Sequence, residues 1–283
     1  NLAVASRRIA WGKTLNCGQT CIAPDYLLVE RAVAEDLLAR LAEDLRTFFG
    51  EDASKSKDYG KIVDAASVAR LRAMVHEDPH GGKILCGGAC DEAARFVAPT
   101  IVLGPSAESR LMREEIFGPV LPVVVVDSVD EALNMVVQAS AAEEPLSVYL
   151  FSESRSVRQR AAASVRCGSL VVNETLLHFA NPYLPFGGIG ASGYGSYHGV
   201  ASYRCFTHER STLLRTTNPL LEVERVLRYA PYRGFHVAGL RFLLLRVPSM
   251  PSTHNVKKVL GALLVAVLVY WHATSGPRAD LDK

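Results

Sequence analysis

The chain is 283 residues long, with 49% hydrophobic and 21% charged residues, the profile of a globular protein able to bury a sizeable core in one or two domains. Lys and Arg (31) nearly balance Asp and Glu (29), and the resulting net charge of +2 excludes the basic footprint that nucleic-acid binding needs. Six cysteines are too dilute for a disulfide scaffold, and no basic segment followed by an apolar run opens the chain, so the thiols are read as reduced and the bulk as cytosolic.

Asn1 opens the chain without a methionine, and Leu2 to Lys13 reads at once as a helix, with Leu2, Ala5, Ile9 and Ala10 at helical spacing; a fragment of a longer chain is expected. Ile22 to Val29 has strand content. Glu30 to Phe49 follows with Val33, Leu37, Leu41, Leu45 and Phe48 three or four apart, stopping at Gly50. A polar stretch, Glu51 to Gly60, precedes a helix around Ser67 to His76, a short strand Lys83 to Cys86 before Gly87 and Gly88, and an extended run Phe96 to Leu103. Val120 to Val126 is almost continuously apolar and β-branched, as a strand buried on both faces must be. A helix over Asp130 to Ala139, a strand over Val148 to Phe151, a helix over Ser154 to Ser164 and a strand over Ser169 to Asn173 complete the alternation. Its Arg155 to Arg160 charges read as a solvated face. Repeated strand-helix-strand units predict an α/β fold with an open, largely parallel sheet and helices on both faces, and ligand sites beyond the carboxyl ends of the strands.

Two segments break this rhythm. From Phe179 to Gly199 the chain is glycine-dense, and Pro185-Phe186-Gly187-Gly188-Ile189-Gly190-Ala191-Ser192-Gly193 suits neither helix nor strand; a ligand or a second chain segment must approach its backbone closely. Gly188, Gly190 and Gly193 spell a G-x-G-x-x-G, but neither a strand before nor an apolar helix after supports a dinucleotide fingerprint. Earlier, Asn16-Cys17-Gly18-Gln19-Thr20-Cys21 sits between the first helix and the first strand, on a turn-forming glycine with polar neighbours. A thiol there is reachable by substrate and is the side chain best suited to covalent attack on a carbonyl. Free cysteines are otherwise small buried hydrophobes, and that alternative stays open on the motif alone. Cys17 with Cys21 and Cys86 with Cys90 form C-x3-C pairs, whose spacing is not that of the usual zinc sites, so no metal is expected. His178, His198 and His208 fit no zinc pattern either and read as polar partners in loop packing.

Three segments in order, Asn16 to Tyr26, Glu114-Glu115-Ile116-Phe117-Gly118-Pro119-Val120, and Pro185 to Gly199 with Ser202 to Ser211, resemble the aldehyde dehydrogenase superfamily, nearest its class 3 branch that includes fatty aldehyde dehydrogenases. The resemblance implies that Cys21 attacks an aldehyde to give a thiohemiacetal and then a thioester, its own N–H helping to hold the oxyanion. It implies that Glu115 and Phe117 meet an NAD cofactor, or NADP, the carboxylate at a ribose hydroxyl and the ring near the nicotinamide ribose. Gln19 and Thr20 would shape the loop of Cys21, and Phe186, Gly187 and Gly188 would lie near the active site. Such enzymes also carry an N-terminal dinucleotide-binding domain, an oxyanion-hole Asn and a Glu-Leu-Gly-Gly-Lys segment whose Glu activates the deacylating water. No Glu-Leu-Gly-Gly-Lys occurs in this sequence. The chain therefore reads as the later part of an enzyme, not competent alone, with two rivals: a cofactor-independent cysteine esterase or acyl-transfer activity, and a noncatalytic fragment that pairs with full-length subunits or anchors to membrane.

Past Arg215 the catalytic pattern ends. Lys257 and Lys258 precede Val259 to Trp271, thirteen residues without a charge and short for a simple span. Flanking lysines and a terminal Tyr270-Trp271 suit an interface, and the resemblance to fatty aldehyde enzymes implies an anchor on the cytosolic face of the endoplasmic reticulum. The expected organisation is a catalytic domain over 1–172, a glycine-rich loop and bridging segment over 173–215, an irregular linker over 216–255 and an anchor helix over 256–273. The expected partners are an aldehyde, a second copy in a homodimer or a full-length subunit, and a membrane.

Overall fold

The computed structural model describes residues 1–140, 144–222 and 228–232, with Gly234, His236, Val237 and Gly239. Helix α1 (Leu2–Thr14) starts on Asn1, whose side chain accepts from the Val4 N–H, and turns Ala5, Ile9 and Ala10 inward. Strand β1 (Leu27–Glu30) runs directly into α2 (Arg31–Phe49), whose buried Ala34, Leu37 and Leu41 pack on α1. Gly50, at φ +79°, ends α2. Asp64 caps α3 (Ala65–His76) by accepting from the Ser67 N–H at 2.7 Å. There follow β2 (Lys83–Cys86), the small hairpin β3 (Cys90–Asp91) and β4 (Phe96–Val97), β5 (Thr100–Leu103), the single turn α4 (Arg110–Arg113), β6 (Val120–Val126), α5 (Val129–Ser140), β7 (Ser147–Leu150), α6 (Arg155–Ser164), β8 (Ser169–Val172) and α7 (Gly199–Phe206).

The main sheet has the order β1-β6-β5-β2. β6 lies parallel to both β1 and β5, while β2 joins the far edge antiparallel to β5, so the sheet is mixed and mostly parallel. Pro122 sits inside β6 without an N–H to give. It is tolerated because β1 begins its pairing only at Val123, which leaves Pro122 opposite Val102 of β5 alone. Successive residues feed opposite faces. Val102 and Val120 join Val68, Leu71 and Met74 of α3, whereas Ile101, Leu121 and Val123 join Ile9 of α1 and Leu37 and Leu41 of α2. Helices thus cover both faces, as the alternation predicts.

Three expectations need correction. The strand expected from Ile22 begins only at Leu27, because the Ile22 carbonyl accepts from the Tyr149 hydroxyl and the Asp25 carboxylate reaches another loop. The run Phe96 to Leu103 is broken at Pro99, where Thr100 folds its hydroxyl back onto the Ala98 carbonyl at 2.7 Å. The sheet is also not continuous: β7 and β8 pair parallel with each other as a separate two-stranded sheet.

The chain divides into two compact units, Asn1–Glu209 and Arg210–Lys283. In the second, a turn at Pro219–Leu221 is capped by the Asn218 side chain, and the Tyr229 hydroxyl donates to Glu222 at 2.6 Å. The expected anchor at 256–273 lies outside the described residues. Among the described residues no helix is long and apolar enough to cross a membrane.

Candidate active site

After α1 the backbone reverses through three consecutive left-handed residues, Asn16 (φ +52°), Cys17 (+54°) and Gly18 (+70°). At Gly18 the need for glycine is absolute: a Cβ would stand 2.2 Å from the Gly118 carbonyl oxygen and 2.9 Å from that of Lys13. The loop of the cysteines and the loop of Glu115 therefore touch backbone to backbone. The reversal also separates the two thiols. Cys17 is 1% exposed among Ile62 and Val68 with Tyr59 against it, and burial pushes its thiol up; Cys21 is exposed.

Gln19 ties this loop down. Its amide donates to the carbonyls of Asn16 (2.9 Å) and Lys61 (3.1 Å), and its side-chain oxygen accepts from the Val63 N–H (2.8 Å). Thr20 accepts the Ala23 N–H at 2.9 Å, closing the turn that carries Cys21. Tyr149 of β7 donates to the Ile22 carbonyl at 2.7 Å, and burial pushes its phenol up to about 12, so it is a neutral donor at any working pH.

Across the junction, Ile116 is fully buried while its neighbours Glu115 and Phe117 are both exposed. The Asp25 carboxylate accepts the Ile116 N–H at 3.2 Å, and Arg70 of α3 donates to the Glu115 and Ile116 carbonyls. Lys13, whose carbonyl abuts Gly18, is only 3% exposed. Burial lowers its ammonium to about 8 against the attraction of Asp25 and Glu115, and burial likewise raises the Asp25 carboxyl against the attraction of Lys13 and Arg70.

The glycine-dense loop closes a third side. Phe186 and Tyr197 exchange backbone hydrogen bonds at 2.9 and 3.0 Å, and Gly187 and Gly188 lie where a Cβ would stand about 2 Å from the carbonyl oxygens of Gly195 and Ser192. The Phe186 ring sits 5.9 Å from His178 and 5.0 Å from Phe179, and His178 lies 6.0 Å from Tyr149. Glu144 pins the loop: its carboxylate accepts the Ala191 N–H at 3.1 Å and pairs with Arg166 at 3.4 Å.

Cys21, Gln19 and Thr20 thus stand on one loop, Glu115 and Phe117 on the loop it touches, and Phe186 to Gly188 on a third. The third is linked to the turn of Cys21 through Tyr149, which donates to the Ile22 carbonyl and packs on His178. Lys13, Asp25, Arg70 and Tyr149 were not foreseen. Lys13 alone left a trace, a charge set among the inward Ile9 and Ala10 positions of α1. His178 is a loop-packing partner as expected, its Nε2 at 3.3 Å from the Ser147 hydroxyl, but its Nδ1 is buried with no hydrogen-bond partner among the described residues.

Fold and site place the chain among α/β proteins that present a reachable thiol on the loop before the first strand of a mixed, mostly parallel sheet. The aldehyde dehydrogenase family pattern matches residues 1–212, and the chain belongs to that family. It is 42% identical over 241 residues to aldehyde dehydrogenase family 3 comG of Dictyostelium discoideum, covering 84% of this chain and 49% of that protein. It is also 42% identical over 246 residues to mouse aldehyde dehydrogenase family 3 member A2, covering 87% and 49%. The solved substrate-bound state of Staphylococcus aureus AldH superposes with a TM-score of 0.70 at 40% identity, over 86% of this chain and 51% of that one. The chain spans about half the length of these relatives.

Proposed function

We propose that this chain carries the nucleophile of an aldehyde dehydrogenase that converts apolar, long-chain aldehydes to carboxylic acids. The observation that supports it is the exposure of Cys21 on a loop locked against the loop of Glu115 and Phe117. The Cys21 sulfur, as thiolate, adds to the carbonyl carbon; the carbonyl π pair moves to oxygen, and the Cys21 N–H helps hold that charge. A nicotinamide dinucleotide, when bound, supplies the hydride acceptor that takes the adduct to the thioester. Water then releases the acid and returns the thiol. Glu115 and Phe117 fit a cofactor ribose: an exposed carboxylate and ring rise on either side of the buried Ile116, on a backbone held by Asp25 and Arg70. NAD and NADP carry the same nicotinamide ribose, so these residues would suit either. Phe179, Phe186 and Tyr149 offer an apolar wall to the aldehyde chain.

A homodimer, or pairing with a full-length subunit, and membrane association through 256–273 at the cytosolic face of the endoplasmic reticulum complete the proposal, the last from Lys257-Lys258 and the uncharged Val259 to Trp271. The deciding experiment treats the chain and Cys21→Ala with p-nitrophenyl acetate, followed by peptide mass spectrometry. Acetylation of Cys21 with loss of the nitrophenol burst in the variant is expected; an equal burst in Cys21→Ala overturns the assignment. Turnover without cofactor would favour the esterase reading. Flotation with phosphatidylcholine vesicles, with and without residues 256–273, tests the anchor.

A further inference from the structure

Among the described residues no acceptor takes the backbone N–H of Cys21, which stands beside the exposed thiol. The other side of its peptide is occupied. The Thr20 carbonyl, which shares a peptide unit with the Cys21 N–H, accepts the Ala23 N–H at 2.9 Å. The Ile22 carbonyl, which shares a peptide unit with the Ala23 N–H, accepts the Tyr149 hydroxyl at 2.7 Å, and the Tyr149 oxygen in turn accepts the Leu176 N–H at 3.3 Å. Leu176 N–H, Tyr149 hydroxyl, Ile22–Ala23 peptide and Thr20–Cys21 peptide thus stand head to tail. A carbonyl that accepts a hydrogen bond makes the N–H of its own peptide a stronger donor, so each link polarises the next. The start of this relay is anchored. Leu176 is buried at a left-handed φ of +56°, a conformation that costs any residue with a side chain, and the Thr175 hydroxyl beside it donates to the Arg8 carbonyl at 2.8 Å. The Tyr149 ring is held edge-on 6.0 Å from His178.

We propose that Tyr149 is a positioning residue for the reaction assigned to Cys21: its hydroxyl, acting through the Ile22–Ala23 and Thr20–Cys21 peptides, aims and strengthens the Cys21 N–H that receives the negative oxygen when the thiolate adds to an aldehyde. The proposal rests on the reading of Cys21 given above. In that step the sulfur forms a bond to the carbonyl carbon and the π pair moves onto oxygen, while Tyr149 keeps its proton. Its contribution is felt at the N–H and not at the sulfur. Displacement of iodide from iodoacetamide by the same sulfur builds no oxyanion and does not draw on it. A tyrosine that only filled the space between β7 and the Cys21 turn would affect both reactions alike.

The test uses the full chain with carbon-13 at the isoleucine carbonyls and nitrogen-15 in alanine. Only the Ile9–Ala10 and Ile22–Ala23 peptides then give a coupled signal, and the first serves as reference. Tyr149→Phe keeps the ring and removes the hydroxyl. Its Ala23 nitrogen is expected to move upfield while that of Ala10 stays. Acylation of Cys21 by p-nitrophenyl acetate is expected to slow about tenfold, a part of the roughly 10²–10³ that loss of a whole oxyanion donor costs. Alkylation by iodoacetamide stays within about twofold, because that step makes no call on the donor. Placing 3-fluorotyrosine at position 149, a stronger donor that keeps ring and hydroxyl, moves the Ala23 nitrogen the other way and reads the relay even if Tyr149→Phe does not fold. An unmoved Ala23 nitrogen in either variant, unchanged acylation in Tyr149→Phe, or equal slowing of acylation and alkylation overturns the proposal. Failure of Cys21 to acylate in the parent chain, with the Ala23 response intact, instead refutes the nucleophile assignment.

Discussion

Replacing Lys13 by methionine should stabilise the fold. A lysine whose ammonium falls from 10.5 to about 8 on folding carries a penalty of about 3 kcal/mol at neutral pH, taking about 1.4 kcal/mol per tenfold change in proton affinity. Lys13 is 3% exposed, so solvent screening removes little of this. The sign follows from proton counting. Between about pH 8 and 10.5 the unfolded chain holds more protons than the folded one, so stability rises with pH through that window and the full penalty applies below it. Methionine matches the volume and has no charge to desolvate. Urea denaturation should therefore show Lys13→Met ahead by about 3 kcal/mol at pH 7, narrowing to about 1 kcal/mol at pH 10. A variant less stable than the parent at pH 7, or a gap equal at both pH values, would refute the reasoning.

Other substitutions probe the remaining contacts. Gly18→Ala forces a methyl into the Gly118 carbonyl at a left-handed position, and should cost more than about 2 kcal/mol in urea denaturation; a loss below about 0.5 kcal/mol would show that the two loops are not in backbone contact. Gln19→Ala removes three hydrogen bonds and should cost about 1–3 kcal/mol while accelerating iodoacetamide labelling of Cys21, with an unchanged rate counting against the clamp. Glu144→Ala frees the Ala191 N–H and Arg166, and limited proteolysis within the 187–195 loop should quicken, whereas Arg72→Ala, on a different surface, leaves that cleavage unchanged.

The elements were legible wherever period and punctuation agreed. α2 runs from a strand to Gly50 as its apolar spacing indicates, and the unbroken apolar run of β6 is an interior strand of the sheet. The strand boundary at Ile22 was not, because it is set by a tyrosine hydroxyl 127 residues away, and no local pattern encodes such a partner. The orientation of β2 was equally hidden: a four-residue strand reads the same in either direction. At the site, motif residues could be named, but the brace that Asp25 and Arg70 put on the Glu115–Ile116 backbone could not. Its members lie in separate elements, and only folding makes them neighbours.

The inward turn of Cys17 has a consequence for oxidative damage. Four residues from Cys21 in sequence, it faces Tyr59 in the interior while Cys21 faces solvent. A peroxide that converts Cys21 to its sulfenic acid therefore meets no resolving thiol in the same loop, since Cys17 could reach it only by undoing the left-handed reversal. Without that rescue the sulfenate depends on a thiol from beyond its own loop, glutathione among them, to escape irreversible oxidation to the sulfinic acid.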